Sequence, residues 1–151
     1  MKPRDIFLAA LHRQSVPRAA TGSATSVVTT DLMDHVSVWF PEAHLEAGKM
    51  AALAETAVTV LGFDNIMPLF SVWHESAALG CEVDWGNRSR MPTGQACCPS
   101  IDAGLAVPRD FLFRPPCAVP LEAIRELKRR QGGQVAILGK VFGPWTLGYN
   151  T

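Results

Sequence analysis

The sequence predicts an α/β fold with a parallel sheet and helical crossovers, and three observations carry that expectation. Pro120 to Arg130 reads as an amphipathic helix, ended by Gly132-Gly133 and followed at once by the apolar run 134–142. A longer helical pattern, Pro41 to Leu61, is followed by Gly62 and the buried-looking run Asn65-Ile-Met-Pro-Leu-Phe70. Helices that hand over to strands through short glycine-containing joints belong to parallel sheets with crossovers. Run 134–142 then enters Gly143-Pro144-Trp145-Thr146-Leu147. Glycine suits a tight turn there and proline the first helical position. The chain therefore reads strand, turn, helix start up to Thr151, and a parallel strand with an unfinished crossover is expected to be the front portion of a larger α/β domain.

The elements follow in order. Residues 3–13 predict a first helix with Ile6, Phe7, Ala10 and Leu11 on one face, broken by Val16-Pro17. The small-residue stretch Ala19 to Ser23 predicts a first strand and its exit loop. Thr29 or Thr30 is placed to cap a short helix through Val36, with Leu32, Met33 and Val36 inward. Pro41 to Leu61 predicts one long helix carrying Leu45, Met50, Leu53, Ala54, Ala57, Val60 and Leu61. Pro68 weakens the strand 65–70, because proline cannot donate to a ladder. His74 to Leu79 predicts a short helix ended by Gly80, and Cys81 to Trp85 a short strand or extended turn. From Gly86 to Pro116 the prolines at 92, 99, 108, 115 and 116 predict either an irregular excursion over the mouth of the fold or a poorly ordered segment. In the helix 120–130, Leu121, Ile124 and Leu127 line one face, and Glu122/Arg125 and Glu126/Arg130 pair on the other.

Composition narrows the class. A chain of 151 residues with 48% apolar residues fits one domain with a core. Fourteen basic residues balance fourteen acidic ones, which argues against a nucleic-acid binder relying on attraction to phosphate. The densest basic run, Arg125 to Arg130, lies where cations suit a helix C-terminus. No apolar stretch approaches the ~20 residues of a membrane span, and Met1-Lys2-Pro3-Arg4-Asp5 opens no signal-peptide pattern. A cytoplasmic protein without membrane contact is expected. Cys81, Cys97, Cys98 and Cys117 show no C-x-x-C spacing, so reduced thiols are expected.

Five motifs in order then carry a resemblance: Asp31-Leu-Met-Asp34, Phe40-Pro-Glu-Ala-His44, Lys49-Met50-Ala51, Leu61-Gly-Phe63 and Ala78-Leu-Gly-Cys-Glu-Val-Asp84. Together with Gly143-Pro-Trp-Thr-Leu147 they resemble the uroporphyrinogen decarboxylase superfamily, and within it the methylcobamide:coenzyme M methyltransferase branch. The resemblance covers most of 3–84 and 120–148; segment 86–116 matches nothing named. It implies a (β/α)8 TIM barrel, typically ~250 residues long, to which residues 1–151 contribute the N-terminal helices and about the first three strands. It implies methyl transfer from a methylated corrinoid protein to a small thiol such as coenzyme M or a related acceptor. The corrinoid is carried by that partner, and zinc is implied as cofactor, stabilising the thiolate through a His-x-Cys pair and a later Cys. No His-x-Cys occurs in this sequence, so the zinc ligands are expected beyond Thr151 and the chain alone is expected to be inactive.

Departures separate the branches. Decarboxylases of the family carry arginines near the first strand, where Thr21-Gly-Ser-Ala-Thr-Ser26 offers no charge, and an aspartate after a Phe-Ser pair, where Val72 follows Phe70-Ser71. A tetrapyrrole rich in carboxylates loses its partners there, which favours methyl transfer over decarboxylation. Decarboxylation remains the alternative, as does a non-catalytic module that binds a corrinoid protein. The usual Val-Pro pair of the first strand is replaced by Ala19-Ala20.

Active groups of such barrels sit at the C-terminal ends of strands. The substrate- or corrinoid-facing candidates are therefore Thr25 and Ser26, then Ser71, His74 and Glu75, then Gly143 and Thr146. Hydroxyls and a helix N-terminus at Pro144 suit amides or an anion, although Ser and Thr more often cap turns and helices. His74 beside Glu75 suggests acid–base work; a loop histidine without a task is the commoner case. A zinc site from His74, Cys81, Cys97 and Cys98 fits no known spacing, so no metal ligands are assigned. Trp39, Trp73, Trp85 and Trp145 read as packing residues rather than a base-stacking platform. A half barrel exposes sheet edges and apolar surface, which predicts self-association.

Overall fold

The computed structural model describes residues 1–98, 100 and 106–151. Helix α1 spans Pro3–Leu11, with Pro3 in the first turn where its missing N–H leaves nothing unpaired. Helix α2 (Thr30–Val36) is capped as expected: the Thr29 side chain accepts from the Leu32 N–H. The single helix expected over 41–61 is two, α3 (Glu42–Leu45) and α4 (Ala47–Thr59). Glu46 between them is extended, with φ −127° and ψ 118°, and this break lets both pieces bury their own faces. Ala43 and His44 go inward from α3, and Met50, Leu53, Ala54 and Ala57 from α4. Leu45, Val60 and Leu61 lie outside that stripe and are exposed.

Strand β1 (Asn65–Ile66) pairs in parallel with β4 (Ala136–Ile137), in the register Asn65 opposite Ala136 and Ile66 opposite Ile137. The ladder is shorter than the apolar runs 65–70 and 134–142. Pro68 cannot donate, and the hydrogen bonds end at the Leu138 N–H on the Ile66 carbonyl, 2.8 Å. The run Asp64 to Ser71 is nonetheless buried throughout. No strand forms over 19–23. One backbone bond and side chains at the start of β1 replace its ladder: the Asp64 N–H donates to the Thr21 carbonyl at 2.7 Å, the Asp64 carboxylate accepts the Thr21 N–H at 2.8 Å, and Asn65 Nδ2 donates to the Ser23 carbonyl at 2.7 Å.

After β1 come α5 (His74–Leu79), ended by Gly80 at φ 113°, and a hairpin of β2 (Val83–Asp84) and β3 (Thr93–Gly94). The expected irregular segment thus holds a strand and, further on, a 3-10 turn at Phe111–Phe113; its residues 99 and 101–105 lie outside the described residues. Helix α6 runs Pro115–Gln131, five residues earlier than Pro120 suggests. Pro115 and Pro116 occupy its first turn, which owes no N–H bonds, and Pro120 falls inside it. The helix buries Cys117, Pro120, Ala123 and Leu127, whereas Leu121 is exposed, so its inner face is rotated from the one expected. The pairs Glu122–Arg125 and Glu126–Arg130 form on the outside. Helix α7 (Pro144–Tyr149) starts at Pro144 with Gly143 as its cap.

The core lies where α4 packs against α2, α3, α6 and β1, and Met50, Leu53, Ile66, Ala123 and Leu127 are fully buried in it. The reduced-thiol expectation is overturned, because Cys81 and Cys97 form a disulfide while Cys98 and Cys117 are free. Their Cα atoms come within 4.7 Å because the β2–β3 hairpin folds residue 97 back beside residue 81. No helix among the described residues is long and apolar enough to cross a membrane.

Candidate functional site

Chemistry-bearing side chains gather where β1 and β4 end. Ser71, buried, turns the chain after β1 by accepting the Trp73 N–H at 3.1 Å, which sets His74 and Glu75 at the start of α5. Glu75 then reaches across to the neighbouring strand exit, where its Oε1 accepts the Phe142 N–H at 3.2 Å, one residue before Gly143. The candidates after the second and third strand segments are thereby brought together. Thr25 instead bonds locally, its N–H to Ser23 Oγ at 3.2 Å, and is exposed with Thr146 and Gly143; Ser26 is half-buried. No hydrogen bond among the described residues links Thr25, Ser26 or Thr146 to His74 or Glu75.

His74 is held by a feature of α6. Pro120 lacks the N–H that would bond the Pro116 carbonyl four residues back. That free carbonyl is taken by His74 Nδ1 at 2.9 Å. A carbonyl only accepts, so Nδ1 carries the proton and Nε2 carries the lone pair. Nε2 is buried without a hydrogen-bond partner among the described residues, as are both ring nitrogens of His44. The two imidazole centroids are 5.6 Å apart, with the Trp85 ring 5.4 Å from His44 and 4.8 Å from His74, and Phe40 4.1 Å from His44. Burial disfavours the charged form of both. It pushes His74 down to about 4, against the opposing Pro116 bond, and His44 down to about 3 with help from the charge of His74.

Beside His74 a mostly apolar cleft of about 170 Å³ opens between α5, the first half of α6 and the end of β4. Leu69, Pro120, Ile124 and Leu138 wall it, and Glu75 and Lys140 are its charged lining. Burial raises the Glu75 carboxyl, partly offset by the Phe142 N–H bond and by Lys140, and burial lowers the Lys140 ammonium. Cys117 on the same wall is raised by burial and by the Glu75 charge, which makes it an inert thiol rather than a nucleophile. A half-buried carboxyl and amine in an apolar cleft can exchange protons with a ligand or hold its charged end.

Sequence reading missed His44, Lys140 and Cys117 as neighbours of this site. His44 stood inside the Phe40-Pro-Glu-Ala-His44 motif, whereas the unpaired carbonyl left no sign, because Pro120 reads as the start of its helix and lies inside it only in the fold. The resemblance implies zinc, and the residues present do not fit it. Cys81 and Cys97 are bonded to each other, and among the described residues no group of three or more His, Cys, Asp or Glu is placed to hold a metal ion.

A protein-family model described as uroporphyrinogen decarboxylase (URO-D) matches residues 2–150. The chain belongs to that family. Within it, the chain is 34% identical over 142 residues to a methylcobamide:CoM methyltransferase MtaA of Methanosarcina barkeri, covering 93% of this chain and 42% of the relative. It is 31% identical over 148 residues to a methylated-thiol–coenzyme M methyltransferase of Methanosarcina mazei, covering 97% of this chain and 40% of that one. A solved methyltransferase from Methanosarcina mazei superimposes with a TM-score of 0.91 at 31% identity, over 99% of this chain and 45% of the other. The URO-D chain described here thus spans about two fifths of the length of the relatives it matches. Its mixed helix–strand arrangement is that of part of the solved methyltransferase, and no closed barrel forms among the described residues.

Proposed function

We propose that this URO-D family chain supplies the first strands and the N-terminal helices of a (β/α)8 barrel that moves a methyl group from a methylated corrinoid protein to a thiol such as coenzyme M. The reading is carried by the match, over nearly the whole chain, to relatives named as methyltransferases that act on methylcobamide, coenzyme M or methylated thiols. The placement of groups supports it: Glu75 ties the exit of β1 to the exit of β4, on the end of the strands where barrel chemistry is done. Thr25, Ser26, Gly143 and Thr146 edge that end and are assigned to the corrinoid-facing rim. The described residues carry no donor set that fits zinc, so zinc chemistry is not assigned to them.

The test is a calorimetric titration of the chain with a methylated corrinoid protein. Saturable binding is expected, weakened about tenfold (about 1.4 kcal/mol) by Thr146→Arg on the exposed rim. No heat of binding to any methylated corrinoid protein overturns the docking half of the proposal. In the same cell, the 151 residues alone are expected to leave the corrinoid methylated in the presence of coenzyme M. Demethylation at the rate of zinc supply overturns the assignment of zinc ligands outside residues 1–151.

A further inference from the structure

We propose that the Cys81–Cys97 disulfide is a reversible clip, opened by a small thiol, that fastens the β2–β3 hairpin as a lid over the His44–His74 pair. The hairpin is small: its ladder pairs only Val83 with Gly94 and Asp84 with Thr93, continued by one bond from the Gln95 N–H to the Glu82 carbonyl, 3.0 Å. A two-stranded hairpin of this size is marginal on its own. Besides the packing of Trp85, of Gly94 on the Trp73 ring and of the buried Pro92, its ion pairs are exposed: Arg88 on Asp34, and Arg90 on Asp84 within the hairpin itself. Ion pairs of that kind hold weakly. What the hairpin carries inward is Trp85, whose ring lies against both imidazoles. The disulfide sits at the base of the hairpin, just beyond the Glu82–Gln95 bond, and closes the loop that contains Trp85.

The two sulfurs are unequal. Cys81 is 6% exposed, whereas Cys97 is exposed, so an incoming thiolate meets Cys97 first. Attack there forms a mixed disulfide with the small thiol and releases Cys81 as a thiolate, which takes up the proton the attacking thiol gave up. A second thiol attacks the mixed disulfide, releases Cys97 and leaves as the oxidised small disulfide. Two small thiols lose two electrons and the protein gains two thiols, so the step balances. The reduced state has a place prepared for it: the Asn150 carbonyl lies 3.6 Å from Cys81 Sγ, an acceptor for the S–H that exists only after reduction. The Cys98 N–H bonds the Thr151 carbonyl, which keeps residue 97 beside its former partner and allows the clip to close again on oxidation.

The experiment uses the whole chain, air-oxidised and then treated with dithiothreitol as the small thiol. Thiol titration of the denatured oxidised chain is expected to find two thiols, Cys98 and Cys117, rising to four after reduction. In the folded protein, carbethoxylation of His44 and His74 at pH 7, read by peptide mass spectrometry, is expected to run about tenfold faster after reduction, because opening of the lid gates access. Cys97→Ser should show the fast rate whether oxidised or reduced, and Cys98→Ser should keep the redox difference. Four thiols in the oxidised chain overturn the clip, and equal labelling rates in the oxidised and reduced wild type overturn the lid. Circular dichroism of the reduced wild type accompanies the labelling, and loss of its helical signal assigns fast labelling to unfolding and also overturns the lid.

Discussion

The bond between His74 and the Pro116 carbonyl yields a prediction that depends on a third residue, Pro120. In an ordinary helix the N–H of residue 120 would satisfy the carbonyl of residue 116. Proline removes it, and His74 Nδ1–H substitutes at 2.9 Å in a region where His74 is 1% exposed. Replacing His74 by Phe keeps a ring in the stack and leaves that part-buried carbonyl without its partner, at a cost of about 1–2 kcal/mol. In a Pro120→Ala background the new alanine N–H takes the carbonyl, and the same His74→Phe change loses most of that penalty. The ring substitution, the loss of Nε2 and the change in helix propensity are common to both arms of the cycle and cancel. The expected coupling is about 1–2 kcal/mol. For a chain of this length that corresponds to roughly 2–8 °C in Tm between additive and observed double variants. The assay is urea unfolding of the four proteins, followed by circular dichroism at pH 7, where both histidines are neutral. If His74→Phe costs the same in both backgrounds, within about 0.5 kcal/mol, the carbonyl is not held by His74 and the tautomer assignment fails with it.

Three further outcomes follow from the same packing. His44 and His74, with folded pKa values of about 3 and about 4, sit below the unfolded value of about 6.5. Their contribution is therefore complete above pH 6.5 and is lost as pH falls toward the folded values, about 2 kcal/mol per imidazole between pH 7 and pH 5; His44→Leu should remove about half of that slope in urea melts. Leu127, fully buried where α6 packs on α4, should cost about 2–5 kcal/mol as Leu127→Ala, and a loss below 1 kcal/mol would mean that the core does not lie where α6 crosses α4. Val141, Trp145 and Tyr149 are 84%, 89% and 83% exposed on the segment that follows β4. Sedimentation should show concentration-dependent self-association that Trp145→Glu reduces.

What could be read from the sequence was what neighbours along the chain decide. Thr29 capping α2, Gly80 ending α5 and Gly143-Pro144 opening α7 each need only a few adjacent residues, and each stands as expected. The parallel pairing of β1 and β4 followed from the order of elements and glycine joints, again a local pattern. The failures share a different cause. The segment 19–23 was expected to be a strand, yet what it bonds is the polar pair Asp64 and Asn65, with Arg18 joining Asp64 at 2.6 Å. Those are side-chain partners more than forty residues away, which no periodicity reports. The early start of α6 was hidden because consecutive prolines read as loop unless they fall in a first turn that needs no N–H. The same limit applies to the site. Glu75 and His74 were legible as polar residues at the end of a strand, but their company was set by tertiary packing: Lys140 from the stretch after β4, Trp85 from a hairpin, and a carbonyl freed by a proline in α6. Pro120 is the informative case. As a helix breaker it reads as a boundary in the sequence, whereas in the fold it lies one turn inside α6, where its missing N–H leaves the Pro116 carbonyl to the His74 Nδ1–H.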